Sequence, residues 1–174
     1  MSSAFHSRGD ELRFTLSSRG DLVRGRLVDR CDNPGRPLVI VGGPSGSADH
    51  PVIDRIIDTW TDWCAVAAID LPLCGARSGE KLTELVFGPG TTLRDPFAAD
   101  VEAQVAHDLR STAQVLAERG ASSGVKLAFV GLGLSAELAR GFADAAEPFD
   151  LVSLAAAGDD AWLAETAARI RKLA

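Results

Sequence analysis

Few residues of this 174-residue chain have types and positions suited to covalent chemistry, and most of them fall in three small-residue loops. Gly42-Gly43-Pro44-Ser45-Gly46-Ser47 follows the apolar run 38–41, and Gly131-Leu132-Gly133-Leu134-Ser135 follows the run 125–130. Asp70-Leu71-Pro72-Leu73-Cys74-Gly75 follows the run 64–69. Ser45, Ser135 and Cys74 are the nucleophile candidates of these loops. A serine or thiol nucleophile needs a base to take its proton. The histidines are His6, His50 and His107, and all precede the loop at 131–135. The simplest role for Ser135 is in the first turn of a helix, where a hydroxyl satisfies a free backbone N–H. Cys74 reads as a small, half-buried thiol in a turn, and Cys64 as core. The segment 131–136 also fits G-x-G-x-x-A through Gly131, Gly133 and Ala136, the pattern of a dinucleotide-binding turn between a strand and a helix. Two features oppose that reading. The next strand ends in Ala155 rather than in an acid for a ribose, and only 38 residues of the 174 follow Ala136.

The elements that would position these loops alternate. Residues 12–16 and 22–28 have strand character, with Ser17-Ser18-Arg19-Gly20-Asp21 as the turn of an antiparallel hairpin. Residues 38–41, 64–69, 125–130 and 151–155 are short apolar runs of the kind that buried parallel strands show. Helices are predicted over 51–60, 97–119, 136–146 and 160–173, and residues 80–96 as an irregular excursion. Residues 1–11 read as a flexible leader, and 12–174 as a single domain. The expected fold class is α/β: a mostly parallel sheet with helices on both faces and an N-terminal antiparallel hairpin, in three layers. His50 stands where the first helix begins, and His107 falls on the surface of the long helix. Trp60, Trp63 and Trp162 read as core or interface, with Trp60 and Trp63 on one helix face. Arg77 is expected to pair with an acid in the excursion. The last helix has Asp159 or Asp160 to cap it, Glu165 in its first half, and Arg169, Arg171 and Lys172 in its last turns, in accord with its dipole. Trp162, Thr166, Ile170 and Leu173 form its apolar stripe.

Taken in order, the hairpin SRGDLVRGRLV, the stretch VIVGGPSG, the loop AIDLPLCGARSG and the turn AFVGLGLSAE resemble the α/β-hydrolase superfamily over about residues 12–156. The resemblance is to a short, degenerate, truncated member. It implies acyl transfer by a serine, a histidine and an acid, with the serine at the centre of a Gly-x-Ser-x-Gly elbow. That centre is Gly133 here, which has no side chain to attack with. The family's acid and histidine follow the elbow, and no histidine follows it in this chain. Asp159 or Asp160 stand where they could mimic the acid. The implied oxyanion hole takes one N–H from Leu134. The second falls on Pro44, which has none, or on Gly43 with a one-residue shift. Asp70 is implied to brace its loop rather than to catalyse.

The expected function is therefore that of a hydrolase-like domain without the usual triad, non-catalytic, and serving binding or assembly. No catalytic residue, cofactor or metal is expected. Gly42, Gly43, Pro44, Asp70, Gly133 and Leu134 would line any remaining ligand site, and the helix after Gly133 would suit an anion. The alternative is an esterase or thioesterase with a displaced nucleophile (Ser135, Ser45 or Cys74) or a site completed by a partner. A dinucleotide-binding module comes third. Self-association is expected through the apolar edge strand 151–155 or the helix 160–173, because such an edge is seldom left free. A net charge of −6 offers no basic surface for nucleic acid, and no apolar run reaches the length of a membrane span. Three cysteines, an odd and sparse set, point to a reducing cytoplasm rather than to a disulfide framework.

Overall fold

A computed structural model of the chain describes residues 3–88, 94–120, 125–143 and 147–173. The strands are β1 (Ser3–Arg8), β2 (Glu11–Ser18), β3 (Asp21–Val28), β4 (Leu38–Gly42), β5 (Ala65–Ile69), β6 (Leu127–Leu132) and β7 (Leu151–Ala155). The helices are α1 (Pro51–Trp60), α2 (Glu80–Phe87), α3 (Arg94–Gly120), α4 (Leu134–Leu138), α5 (Arg140–Ala143) and α6 (Asp160–Arg171), with a short 3-10 turn at Gly75–Arg77. All seven strands form one sheet in the order β1-β2-β3-β5-β4-β6-β7. β1, β2 and β3 are antiparallel to one another and β3 to β5, whereas β5, β4, β6 and β7 run parallel. The expected α/β class, with its antiparallel hairpin and parallel remainder, is what the chain adopts.

The two-residue period of the central strands divides their side chains between two cores. Leu38 and Ile40 of β4, Ala67 and Ile69 of β5, and Phe129 of β6 face α3, where Val101, Val105, Leu109, Ala113 and Leu116 form the buried stripe. Val39, Val41, Val66, Ala68, Ala128 and Val130 face α1 and α6, through Ile53, Ile56, Trp60, Leu163, Ala167 and Ile170. β4, β5 and β6 are buried along their whole length, as strands covered on both faces must be. Two helix starts have a clear local cause. His50 caps α1 by accepting the Val52 N–H at its Nδ1, and Pro51 opens the helix. Asp159, not Asp160, caps α6 by accepting the Trp162 N–H at 2.8 Å. Trp60 and Trp63 pack with ring centroids 5.7 Å apart.

Several elements differ from the sequence reading. Part of the supposed leader is β1, paired with β2 along its length. Its Phe5 packs on Phe14, and the Arg119 guanidinium lies 4.0 Å over the Phe5 ring. The first part of the excursion is α2, whose Lys, Leu and Glu content favours helix; the glycines and prolines just beyond it gave the whole stretch its irregular look. Residues 89–93 lie outside the described structure. The helix expected over 136–146 starts earlier, at Leu134, and is two short pieces, α4 and α5; residues 144–146 are likewise outside the described structure. Among the described residues Arg77 pairs with Asp21 and Asp108, which lie outside the excursion.

Candidate functional site

β6 and α4 meet at one residue. Gly133 has φ 54° and ψ −122°, a combination that only glycine adopts without strain. The strand-to-helix turn is therefore as tight as an elbow that presents a side chain, but the space such a side chain would enter is filled. A Cβ built on Gly133 would stand 2.9 Å from both the Cα and the carbonyl oxygen of Pro44. That same carbonyl accepts the Leu134 N–H at 2.9 Å, and the Gly133 N–H donates to the Ala155 carbonyl at 2.9 Å. The donor expected for an oxyanion is thus already bonded within the protein. Ser135 is fully buried, and its hydroxyl donates to the Gly43 carbonyl at 2.6 Å. Its side chain occupies the room left by Gly42, where an added Cβ would come within 2.6 Å of Ser135 Cβ. The loop at 42–47 is thereby tied to the turn at 131–135 by two hydrogen bonds and a glycine contact.

The third loop is braced from one carboxylate. Asp70 is buried, and its Oδ1 accepts the Ala48 N–H at 2.8 Å while Oδ2 accepts the Ala76 N–H at 2.9 Å. The Leu71 N–H donates to the Gly46 carbonyl, and Cys74 packs against Gly46, where there is no room for a Cβ. Burial, helped by the nearby Asp70 charge, pushes the Cys74 thiol up to about 11, so it is protonated at neutral pH and a poor nucleophile. Arg77 follows in the same loop. Its guanidinium donates to the Asp70 carbonyl at 3.0 Å and to Asp108 at 2.7 Å, and it also pairs with Asp21. Asp108, fully buried on α3, accepts as well from Ser18 at 2.5 Å and Gln104 at 2.6 Å.

The histidines are spread over separate parts of the chain. His6 lies on β1. His50 has its Nδ1 engaged in the α1 cap, and His107 on α3 is half-buried with Nε2 3.5 Å from Ser111 Oγ. Ser45 is exposed in its loop. Of the residues named above as ligand-lining, Pro44 packs on Gly133 and Leu134, and Gly42 and Gly43 meet Ser135, through the contacts just given. Asp70 lines a cavity of about 230 Å³ together with His6, Arg13, Arg24 and Asp49 over the antiparallel strands. Gly131, the first glycine of the dinucleotide pattern, is where Leu154 and Ala136 close in, at 2.8 and 3.1 Å from an added Cβ. α4 has five residues, and its first N–H is the one Pro44 holds. Sequence reasoning missed the Pro44 carbonyl. It recognised that Pro44 lacks an N–H, but the direction of its C=O depends on loop torsions that carry no residue signature.

The chain matches solved structures. One is a cold-adapted esterase from an Arctic intertidal metagenomic library, at 15% identity and a TM-score of 0.66, over 87% of this chain and 64% of that one. Another is an acetyl xylan esterase from Paenibacillus sp. R4, at 15% identity and a TM-score of 0.63, over 86% and 52%. A carboxyl esterase from Bacillus coagulans follows at 15% identity and 0.59, over 83% and 44%. The fold is of the α/β-hydrolase type. The chain spans less than two thirds of the length of each of these esterases. No protein-family model and no curated protein matches it. Among the described residues no helix is long and apolar enough to cross a membrane.

Proposed function

We propose that this hydrolase-fold domain is non-catalytic and serves binding or assembly. One observation carries the reading: the Pro44 backbone fills the space of a side chain at 133, and its carbonyl holds the Leu134 N–H that an oxyanion would need. An oxyanion hole works by donors left free for charge that develops in the transition state; here the donor has a permanent acceptor. The buried Ser135 and the protonated Cys74 support the same reading, as do the hydrogen bonds of His50 to the Val52 N–H and of His107 to Ser111. The three cysteines are free, which supports a reducing compartment, the cytoplasm.

The test is hydrolysis of 4-nitrophenyl acetate, 4-nitrophenyl butyrate and an acyl thioester by the purified chain. The expected rate equals that of buffer with an inert protein, and Ser135→Ala, Ser45→Ala and Cys74→Ser leave it unchanged. Turnover clearly above that background, abolished by one of the three substitutions, would overturn the proposal in favour of an esterase or thioesterase with a displaced nucleophile.

A further inference from the structure

β7 ends the sheet, with β6 on one side and no strand on the other among the described residues. The Gly133 N–H, just past β6, donates to the Ala155 carbonyl at 2.9 Å, in step with the pairing of Leu132 with Ala155. Backbone groups alternate along a strand, so Leu151 and Ser153 face β6 as Ala155 does, and the N–H and C=O of Val152 and Leu154 turn away from it. No residue of β7 carries a charge, and charge is the usual protection of a free edge. The sequence of this strand, Leu-Val-Ser-Leu-Ala, is balanced about Ser153. Antiparallel to a copy of itself with Ser153 at the two-fold axis, it sets Leu151 opposite Ala155 and Val152 opposite Leu154. Leu151 and Ala155 belong with the α6 core, Val152 and Leu154 with the α3 core. Both faces of such a pair are therefore apolar against apolar.

α6 fits the same axis. Thr166 touches Ser153, with oxygens 3.3 Å apart, while Leu163, Ala167 and Ile170 share a core with β6. The helix thus sits over the gap between β6 and β7, about half a strand spacing inside the edge. Two copies joined edge to edge bring their α6 helices about 10 Å apart, the distance at which helices pack. Asp160 pairs with Arg55 and Arg171 lies over Trp63, which marks the side of α6 that faces α1. At about 100° per residue, Glu165 and Arg169 lie on the opposite side, toward the sheet edge. Both are exposed, and among the described residues neither forms an ion pair within the chain. They flank Thr166. A two-fold axis there places Glu165 of each copy near Arg169 of the other, a complementarity of charge that an isologous interface requires.

We infer that β7 and α6 form a two-fold interface with a second copy of this chain, joining two seven-stranded sheets into one through antiparallel β7 pairing, with Glu165 opposite Arg169 of the other copy. This surface does not depend on whether the elbow is catalytic. The experiment is sedimentation equilibrium of the chain over a concentration series, combined with amide exchange at Val152 and Leu154. The expected result is a dimer with both amides protected. Glu165→Arg and Arg169→Glu, at exposed positions that spare the fold, each weaken the dimer roughly tenfold, and the double exchange restores it. A monomer at all concentrations overturns the inference, including one whose edge amides are protected by another segment. So does a dimer indifferent to the charge exchanges or with open amides at 152 and 154, since its interface then lies elsewhere.

Discussion

Asp21, Arg77 and Asp108 join three parts of the chain that are distant in sequence. Arg77 has a side chain only 4% exposed, and Asp108 is fully buried. A buried pair of this kind adds little over apolar packing, but removing one partner leaves an uncompensated charge. Asp108→Asn is expected to lower unfolding free energy by about 3 kcal/mol, read by urea denaturation, with Asp108→Ala worse because Ser18 and Gln104 also lose their acceptor. Burial alone would raise the Asp21 carboxyl, but Arg77 and the Leu22 N–H outweigh it and hold it below the ordinary range. The carboxyl of Asp49 is likewise held down, by hydrogen bonding to Arg13 against its partial burial. In both, the unfolded state takes up protons first as pH falls. Stability is full above about pH 4 and is lost as pH drops through the lower folded values. Urea midpoints measured between pH 5 and 2.5 should decline, and Asp21→Asn with Asp49→Asn should flatten part of that decline. At the turn itself, Gly133→Ser should cost about 2 kcal/mol in the same assay, because a side chain there combines a forbidden torsion with a collision at Pro44, and it should confer no ester hydrolysis.

Among the elements, α6 depends on its ends as much as on its buried stripe. Asp159→Ala should destabilise the protein by about 1 kcal/mol through the lost Trp162 N–H bond, a change that thermal unfolding would register. Elements with strong periodicity were legible in the sequence: α1 at Pro51–Trp60 and β7 at Leu151–Ala155 fall where their patterns place them. β1 was not, because its burial is slight and its anchors, pairing with β2 and the packing of Phe5 on Phe14 and under Arg119, are tertiary contacts. α2 was not, since the turn residues beyond Phe87 dominate the local composition. At the candidate site, glycine at 133 and the absence of a later histidine could be read directly. The Pro44 carbonyl and the Arg77 partners could not, because both depend on how loops far apart in the chain are set against one sheet.

For the whole molecule, seven strands of one sheet carry two cores of unequal extent. β4, β5 and β6 lie between covered faces, whereas β1 is exposed at nearly every residue. Amide exchange followed by mass spectrometry should therefore grade across the sheet, slowest in 38–42, 65–69 and 127–132 and fastest in 3–8. The bond between Pro44 and Leu134 also bears on what selection could reach from this sequence. A serine placed at 133 alone meets the proline backbone, and a glycine placed at 44 alone leaves the turn with nothing to attack an ester. A working nucleophile at this turn lies at least two substitutions away, so a library of single changes screened on esters would find none there.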